Sequence, residues 1–196
     1  MNSQAAAATS VPPAAPRQTT WEIDPVHSTA QFSVKHMMVS TVRGHFRKVS
    51  GTVQLDERDL TRSRVEVEIE ASSVDTGEAK RDAHLRSADF FDAEKFPKIA
   101  FRSSRIDRAG EGFSLQGELT MHGQTRPVTL SVEPLAPVTK DPYGRVLRGT
   151  SATARLNRKE WGLGWNAVLE TGGVLVGEEV RLQIDVELVA RSPATP

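Results

Sequence analysis

The run "KRDAHLRSADFFDAEKFP", residues 80–97, gathers the side chains best able to do chemistry. Arg81, Asp82, His84 and Arg86 stand close together there. Arginine offers a planar fork of donors that suits an anionic or carbonyl-bearing group. The competing reading is structural: Arg81 and Asp82 form a salt bridge that ties the segment to its neighbours. His84 with Asp82 is the one arguable acid–base pair. His27, His36 and His45 invite a metal reading through their even spacing of nine. Residues nine apart on a strand point to opposite faces, however, and the chain has no cysteine and no close histidine pair. No metal site is expected. His27 and His36 should instead bond backbone groups at strand ends, and His122 should belong to a hairpin turn with Gly123. Ser28 has no G-x-S-x-G elbow around it, and His27 as its immediate neighbour is badly placed to act as base. No catalytic residue is expected. Trp161, Trp165 and Tyr143 could stack a flat ligand; the plainer account packs one tryptophan inside and leaves the other at a rim.

The elements that must position these groups are strands. Ala30, Phe32 and Val34 alternate with polar residues, as do Val65, Val67 and Ile69, which alternate with Glu66, Glu68 and Glu70. Further segments repeat the pattern: Leu115, Gly117, Leu119 and Met121; Val128, Leu130 and Val132; Ala152, Ala154 and Leu156; Val180, Leu182, Ile184, Val186 and Leu188. Period two gives each strand one apolar and one wet face, which predicts a largely antiparallel sheet. With no helical half to cover the apolar face, the sheet must stack into a sandwich or curl into a barrel. The one expected helix runs from about Gly77 to Phe91, capped by Thr76, with Phe96-Pro97 leading into the next strand. An eight-stranded barrel is either filled by side chains or holds one small ligand. Small inward residues (Ala30, Ala71, Gly117, Ala152, Ala154) suggest unfilled volume, and both readings stay open.

The chain has 196 residues, with 25 basic and 25 acidic side chains. A balanced charge gives no field to attract nucleic acid. No run of about twenty apolar residues is present, so no stable membrane insertion is expected. Residues 1–20 are rich in Ala, Pro, Ser and Thr and read as a disordered tail. They lack the basic start and leucine-rich centre of an export signal, which points to the cytoplasm; a truncated start would leave a periplasmic or secreted location open. Residues 21–190 form the domain and 191–196 a second short tail.

Four blocks carry a resemblance. "WEIDPVHSTAQFSVKHMMVSTVRGHFRKVSGTVQLD" (21–56), "ASSVDTGEAKRDAHLRSADFFDAEKFPKIAFRS" (71–103), "GELTMHGQTRPVTL" (117–130) and "NRKEWGLGWNAVLETGGVLVGEEVRLQIDVEL" (157–188) resemble the YceI family of polyisoprenoid-binding, lipocalin-like proteins. The resemblance implies an all-β fold, an antiparallel eight-stranded barrel with a short helical cap between strands. It implies an apolar interior that sequesters or carries an isoprenoid lipid, quinone-like or prenyl phosphate, with no other cofactor and no catalysis. The implied cavity lining is Phe32, Val34, Val67, Ile69, Phe90, Phe91, Phe101, Leu119, Met121, Leu130, Leu182, Ile184, Val186 and Trp165. Arg81, Asp82, His84 and Arg86 would sit at the mouth, by a lipid head, and Lys80 and Asp89 would face water or that head. A homodimer is a further expectation of the resemblance. The rival readings are a stress-related structural or interaction protein with a filled barrel, and an enzyme acting on such a lipid.

Overall fold

The computed structural model describes residues 18–169 and 172–191. The strands are β1 (Gln18–Ile23), β2 (Thr29–His36), β3 (Ser40–Phe46), β4 (Val49–Asp56), β5 (Arg64–Glu70) and β6 (Val74–Asp75), then β7 (Lys98–Ala109), β8 (Gly112–Met121), β9 (Gln124–Val132), β10 (Thr139–Lys140), β11 (Val146–Asn157) and β12 (Val176–Ala190). One α-helix, α1 (Ala79–Arg86), lies between β6 and β7. Among the described residues no helix is long and apolar enough to cross a membrane.

β1 and β2 act as one long strand kinked at residues 24–28. The C-terminal part of β12 pairs with β1 (Leu188↔Ile23) and its N-terminal part with β2 (Ile184↔Ala30, Leu182↔Phe32). β3 and β4 form a second kinked strand, pairing β2 and β1 respectively. From β4 the ladder runs through β5, β7, β8, β9 and β11 back to β12, closing an antiparallel barrel of eight strands. The β9–β11 seam is short, with only Ala152↔Val132 and Thr153↔Ser131 paired.

The register carries the sequence alternation into the interior. Val67 opposes Phe101, and Phe101 opposes Leu119. Leu115 opposes Leu130, and Ala152 opposes Ile184. Long inward side chains are accommodated by glycine. A Cβ on Gly117 would lie 2.5 Å from the Phe101 ring, and one on Gly44 would lie 2.5 Å from Phe32. Gly117 therefore holds an aromatic ring and leaves no empty volume there.

Two groups of large side chains are buried at separate places in the barrel. Trp21, Ile23, Leu55 and Leu188 pack where β1, β4 and β12 meet. Trp161 is 1% exposed, and its indole N–H donates to the Leu119 carbonyl at 3.0 Å. Burying a side chain of Leu188's size contributes about 1.5–3 kcal/mol. β1 begins at Gln18, whose register partner is Asp56. The rest of the N-terminal tail and residues 192–196 lie outside the described residues.

Candidate functional site: an apolar cavity and its mouth

The barrel encloses a cavity of about 610 Å³ lined almost wholly by apolar side chains, within the usual range of ligand pockets. Every apolar residue expected to line it does so, from Phe32 and Val34 through Val67, Ile69, Phe101, Leu119, Met121, Leu130, Leu182, Ile184 and Val186 to Phe90, Phe91 and Trp165. Ala30, Ala152 and Ala154 line it as well, and they keep it wide. Ala71 does not contribute, being buried in a 3-10 turn at residues 71–73.

One end of the cavity is stopped by apolar side chains. Leu60, from the 3-10 turn after β4, and Leu135, from the loop after β9, line that end together with Ile106 and Phe113. At the other end the wall includes Lys35, His36, Glu78, Lys80, Arg81 and His84. This polar rim is the mouth.

α1 covers the mouth in part, and its geometry departs from expectation. Glu78, not Thr76, caps it, accepting the amides of Lys80 at 3.1 Å and Arg81 at 2.6 Å. The helix stops at Arg86, capped by Ser87, so Phe90 and Phe91 lie in the turn that follows. That turn reverses the chain through Phe91 N–H to the Leu85 carbonyl at 3.0 Å and a positive φ at Asp92. It swings both phenyl rings under the cap. Phe91 packs edge-on against Phe46 at 5.5 Å, and Phe90 lies 5.4 Å from Trp165.

The four polar residues singled out in this segment separate into two pairs. Arg81 and His84 line the cavity; Asp82 and Arg86 do not. Asp82 is 7% exposed and does not face water or a ligand head. Its Oδ1 accepts the Thr76 amide at 2.8 Å and the Thr76 hydroxyl at 2.6 Å. The same hydroxyl accepts Arg81 Nε at 2.7 Å, and Arg81 Nη2 reaches the Thr76 carbonyl at 2.9 Å. Thr76 therefore relays between the two charges. Arg86 donates to the carbonyls of Ser72 and Val74, both at 2.7 Å, and so rivets α1 to β6. His84 bonds Asp89 at 2.8 Å and stands edge-on to Trp165 at 4.6 Å.

Arg158 is a cavity residue that the pattern concealed. It is 4% exposed and donates to the carbonyls of Leu163, Val176 and Gly177. Burial pushes its guanidinium below the ordinary arginine value, and the charge of Glu178 pulls it back up. It ties the loop after β11 to the start of β12. Nothing in period-two alternation marks a buried charge at a strand end.

The other flagged residues lie elsewhere. Tyr143 is exposed in the β10–β11 turn, away from the cavity. His122 Nδ1 meets the Trp161 carbonyl at 3.0 Å beside its hairpin turn. His27 faces carboxylates and not backbone groups: its Nδ1 is 3.3 Å from Asp24 and 3.4 Å from Glu187. These three residues bring ligand-type atoms within 4.8 Å of one another, but Arg145 already sits 3.2 Å from Asp24. A guanidinium in that position supplies the positive charge a metal would bring. Burial pushes the Asp24 carboxyl up, but the amide N–H of Val26 and the His27 side chain outweigh it, and the net value is lowered.

Similarity to known proteins agrees with this architecture. The YceI-like domain description matches residues 21–188. A UPF0312 protein of Staphylococcus epidermidis is 37% identical over 170 residues, covering 86% of this chain and 96% of the relative. A UPF0312 protein of Staphylococcus aureus is 35% identical with the same coverage. Among solved structures, the Campylobacter jejuni YCEI protein superposes with a TM-score of 0.67 at 26% identity, over 81% of this chain and 90% of that one. Burkholderia cenocepacia BcnA gives a TM-score of 0.71 at 23% identity, over 84% and 98%. A polyisoprenoid binding domain from Saccharophagus degradans gives 0.60 at 14% identity, over 88% and 99%. The last two share the fold alone. With the match running from Trp21 to Leu188 and full-length relatives above 30% identity, the chain belongs to the YceI-like family.

Proposed function

We propose that this protein binds an isoprenoid lipid, quinone-like or prenyl phosphate, with the chain in the barrel and the head at the mouth. The observation that carries the reading is the apolar cavity of about 610 Å³ with its charged lining side chains gathered at one end. The Saccharophagus degradans structure, described as polyisoprenoid binding, has the same fold.

The energetics suit a long apolar chain. Burying a methylene contributes roughly 0.8 kcal/mol, so a five-carbon isoprene unit contributes about 4 kcal/mol gross. Association costs about 4–15 kcal/mol. Three or four units therefore offset that cost with no polar contact, and cavity length sets the preferred chain. The rim supports binding: Asp82 accepts from Thr76 and His84 bonds Asp89, so the His84–Asp82 couple weighed in the sequence is not formed.

The test is an affinity series over isoprenoids of increasing length, with Val67→Arg as control, because Val67 lies on the cavity wall between Gly51 and Phe101. Affinity should rise with each unit and then level off, and Val67→Arg should abolish uptake. Equal uptake by Val67→Arg, in a variant whose folding is verified by circular dichroism, would place the chain somewhere other than the barrel.

A further inference from the structure

We propose that the mouth of the barrel docks reversibly on an anionic lipid bilayer through exposed apolar side chains of two neighbouring loops, Met37-Met38-Val39 and Val168. This rests on the lipid-binding reading and adds how the ligand reaches the cavity without crossing water.

These side chains are exposed: Met37 by 43%, Met38 by 66%, Val39 by 86% and Val168 by 86%. Contiguous exposed apolar surface marks an interaction site. The loops are joined. The Met37 amide donates to the Leu175 carbonyl at 2.8 Å, the Leu175 amide to the Ala167 carbonyl at 3.0 Å, and Val168 bridges Val174. Leu175 and Val176, next along from these loops, line the cavity beside Lys35 and His36, so the exposed apolar residues adjoin the cavity wall.

The backbone supplies an independent argument. The Val39 amide bonds the His36 carbonyl at 3.1 Å, and Met37 and Met38 hold φ of 52° and 59°. Both central residues of this tight hairpin turn are left-handed, a conformation that strongly favours Asn-Gly. Methionine at both positions is strained and leaves two large apolar side chains in water. A local rule broken twice with no gain in folding points to a use for the side chains.

Charge selects the partner. Lys35, Lys80 and Arg81 ring the opening. Among the described residues the acids of this rim are engaged: Glu78 accepts two helix amides, Asp82 accepts from Thr76, Asp89 bonds His84, and Glu178 pairs with Lys159 at 2.5 Å. A cationic collar around a few apolar side chains fits an anionic headgroup layer, and so small an insertion releases readily.

The experiment is flotation of the full chain with phosphatidylcholine vesicles, with and without added phosphatidylglycerol. The partner variant is Met37→Asn/Met38→Gly, which relaxes the turn while removing both methionine side chains. Wild type should float with the anionic vesicles and much less with the neutral ones. The variant should lose about tenfold or more in partitioning, with an unchanged or raised melting temperature. Equal flotation of variant and wild type overturns the proposal. So does absence of wild-type flotation, or a wild-type dimer that the variant loses with no vesicle binding, which would assign these side chains to self-association. Lipid extracted from the same preparations separates the two readings: bound isoprenoid without flotation removes the docking surface and leaves the carrier intact, whereas flotation without bound isoprenoid leaves the docking surface and removes the carrier.

Discussion

Where β1 begins and β4, β9 and β12 end, the barrel is stopped by packing. Trp21 and Leu55 are 3% and 4% exposed, Leu60 and Leu135 reach inward, and Arg148 lies over the Trp21 ring while pairing with Glu57. At the opposite end the cover is a helix of eight residues whose hold on the barrel includes polar bonds from Asp82, Arg81 and Arg86 to a few backbone and hydroxyl groups. Packed apolar contacts are short-ranged and numerous, and losing them means unfolding. A handful of hydrogen bonds at a surface, each of modest net strength, can break and re-form with the barrel intact. Apolar packing is present at both ends, under the cap through Phe90 and Phe91, but the capped end adds a polar hold that can open, and on the proposed function that end is the one for passage.

Truncation at each end sharpens that division. Trp21→Ala at the packed end should cost about 3–5 kcal/mol of stability, read by denaturant unfolding. It should leave the rate of lipid release from the remaining folded protein unchanged. Asp82→Ala at the capped end should cost less, about 1–3 kcal/mol, because it strands the Thr76 amide and hydroxyl. It should speed lipid transfer to acceptor vesicles. Faster release from Trp21→Ala and none from Asp82→Ala would reverse the assignment of the ends.

The smallest expected effect is acid sensitivity. Asp75, beside α1, is held below the usual carboxylate range by the Gly77 amide and Arg47; Glu70 is lowered by Lys48 and Ser72, and Asp24 by the turn it caps. A lowered folded value means that the stability these groups contribute is present above the unfolded value of about 4 and is lost as pH falls through the folded values. Melting temperature should hold from neutral pH down to about 4 and then decline. Asp24→Asn should flatten the decline while lowering the plateau. An unchanged acid limb in that variant would show that Asp24 contributes nothing to it.

The barrel interior was legible in the sequence because alternation is a backbone property. Val65, Val67 and Ile69 must share a face in any strand, and the structure turns that face inward. The cap was less legible. Thr76 is of a favoured N-cap type and Glu78 is not, yet Glu78 caps the helix, because the cap depends on where β6 releases the chain. Asp82 was expected beside a lipid head or paired with Arg81, yet it is buried and a threonine from outside the helix satisfies it. Gly117 looked like free space until the Phe101 ring was placed over it. The plug of Leu60 and Leu135 comes from loops, where periodicity says nothing, and Arg158 is buried only because three carbonyls converge on it.

The most direct measurement is native mass spectrometry of freshly purified protein, followed by organic extraction and mass analysis of the extract. A stoichiometric adduct whose extracted mass is an isoprenoid is the predicted result. A bare chain mass, with no adduct after quinone or prenyl phosphate is added, would contradict the account.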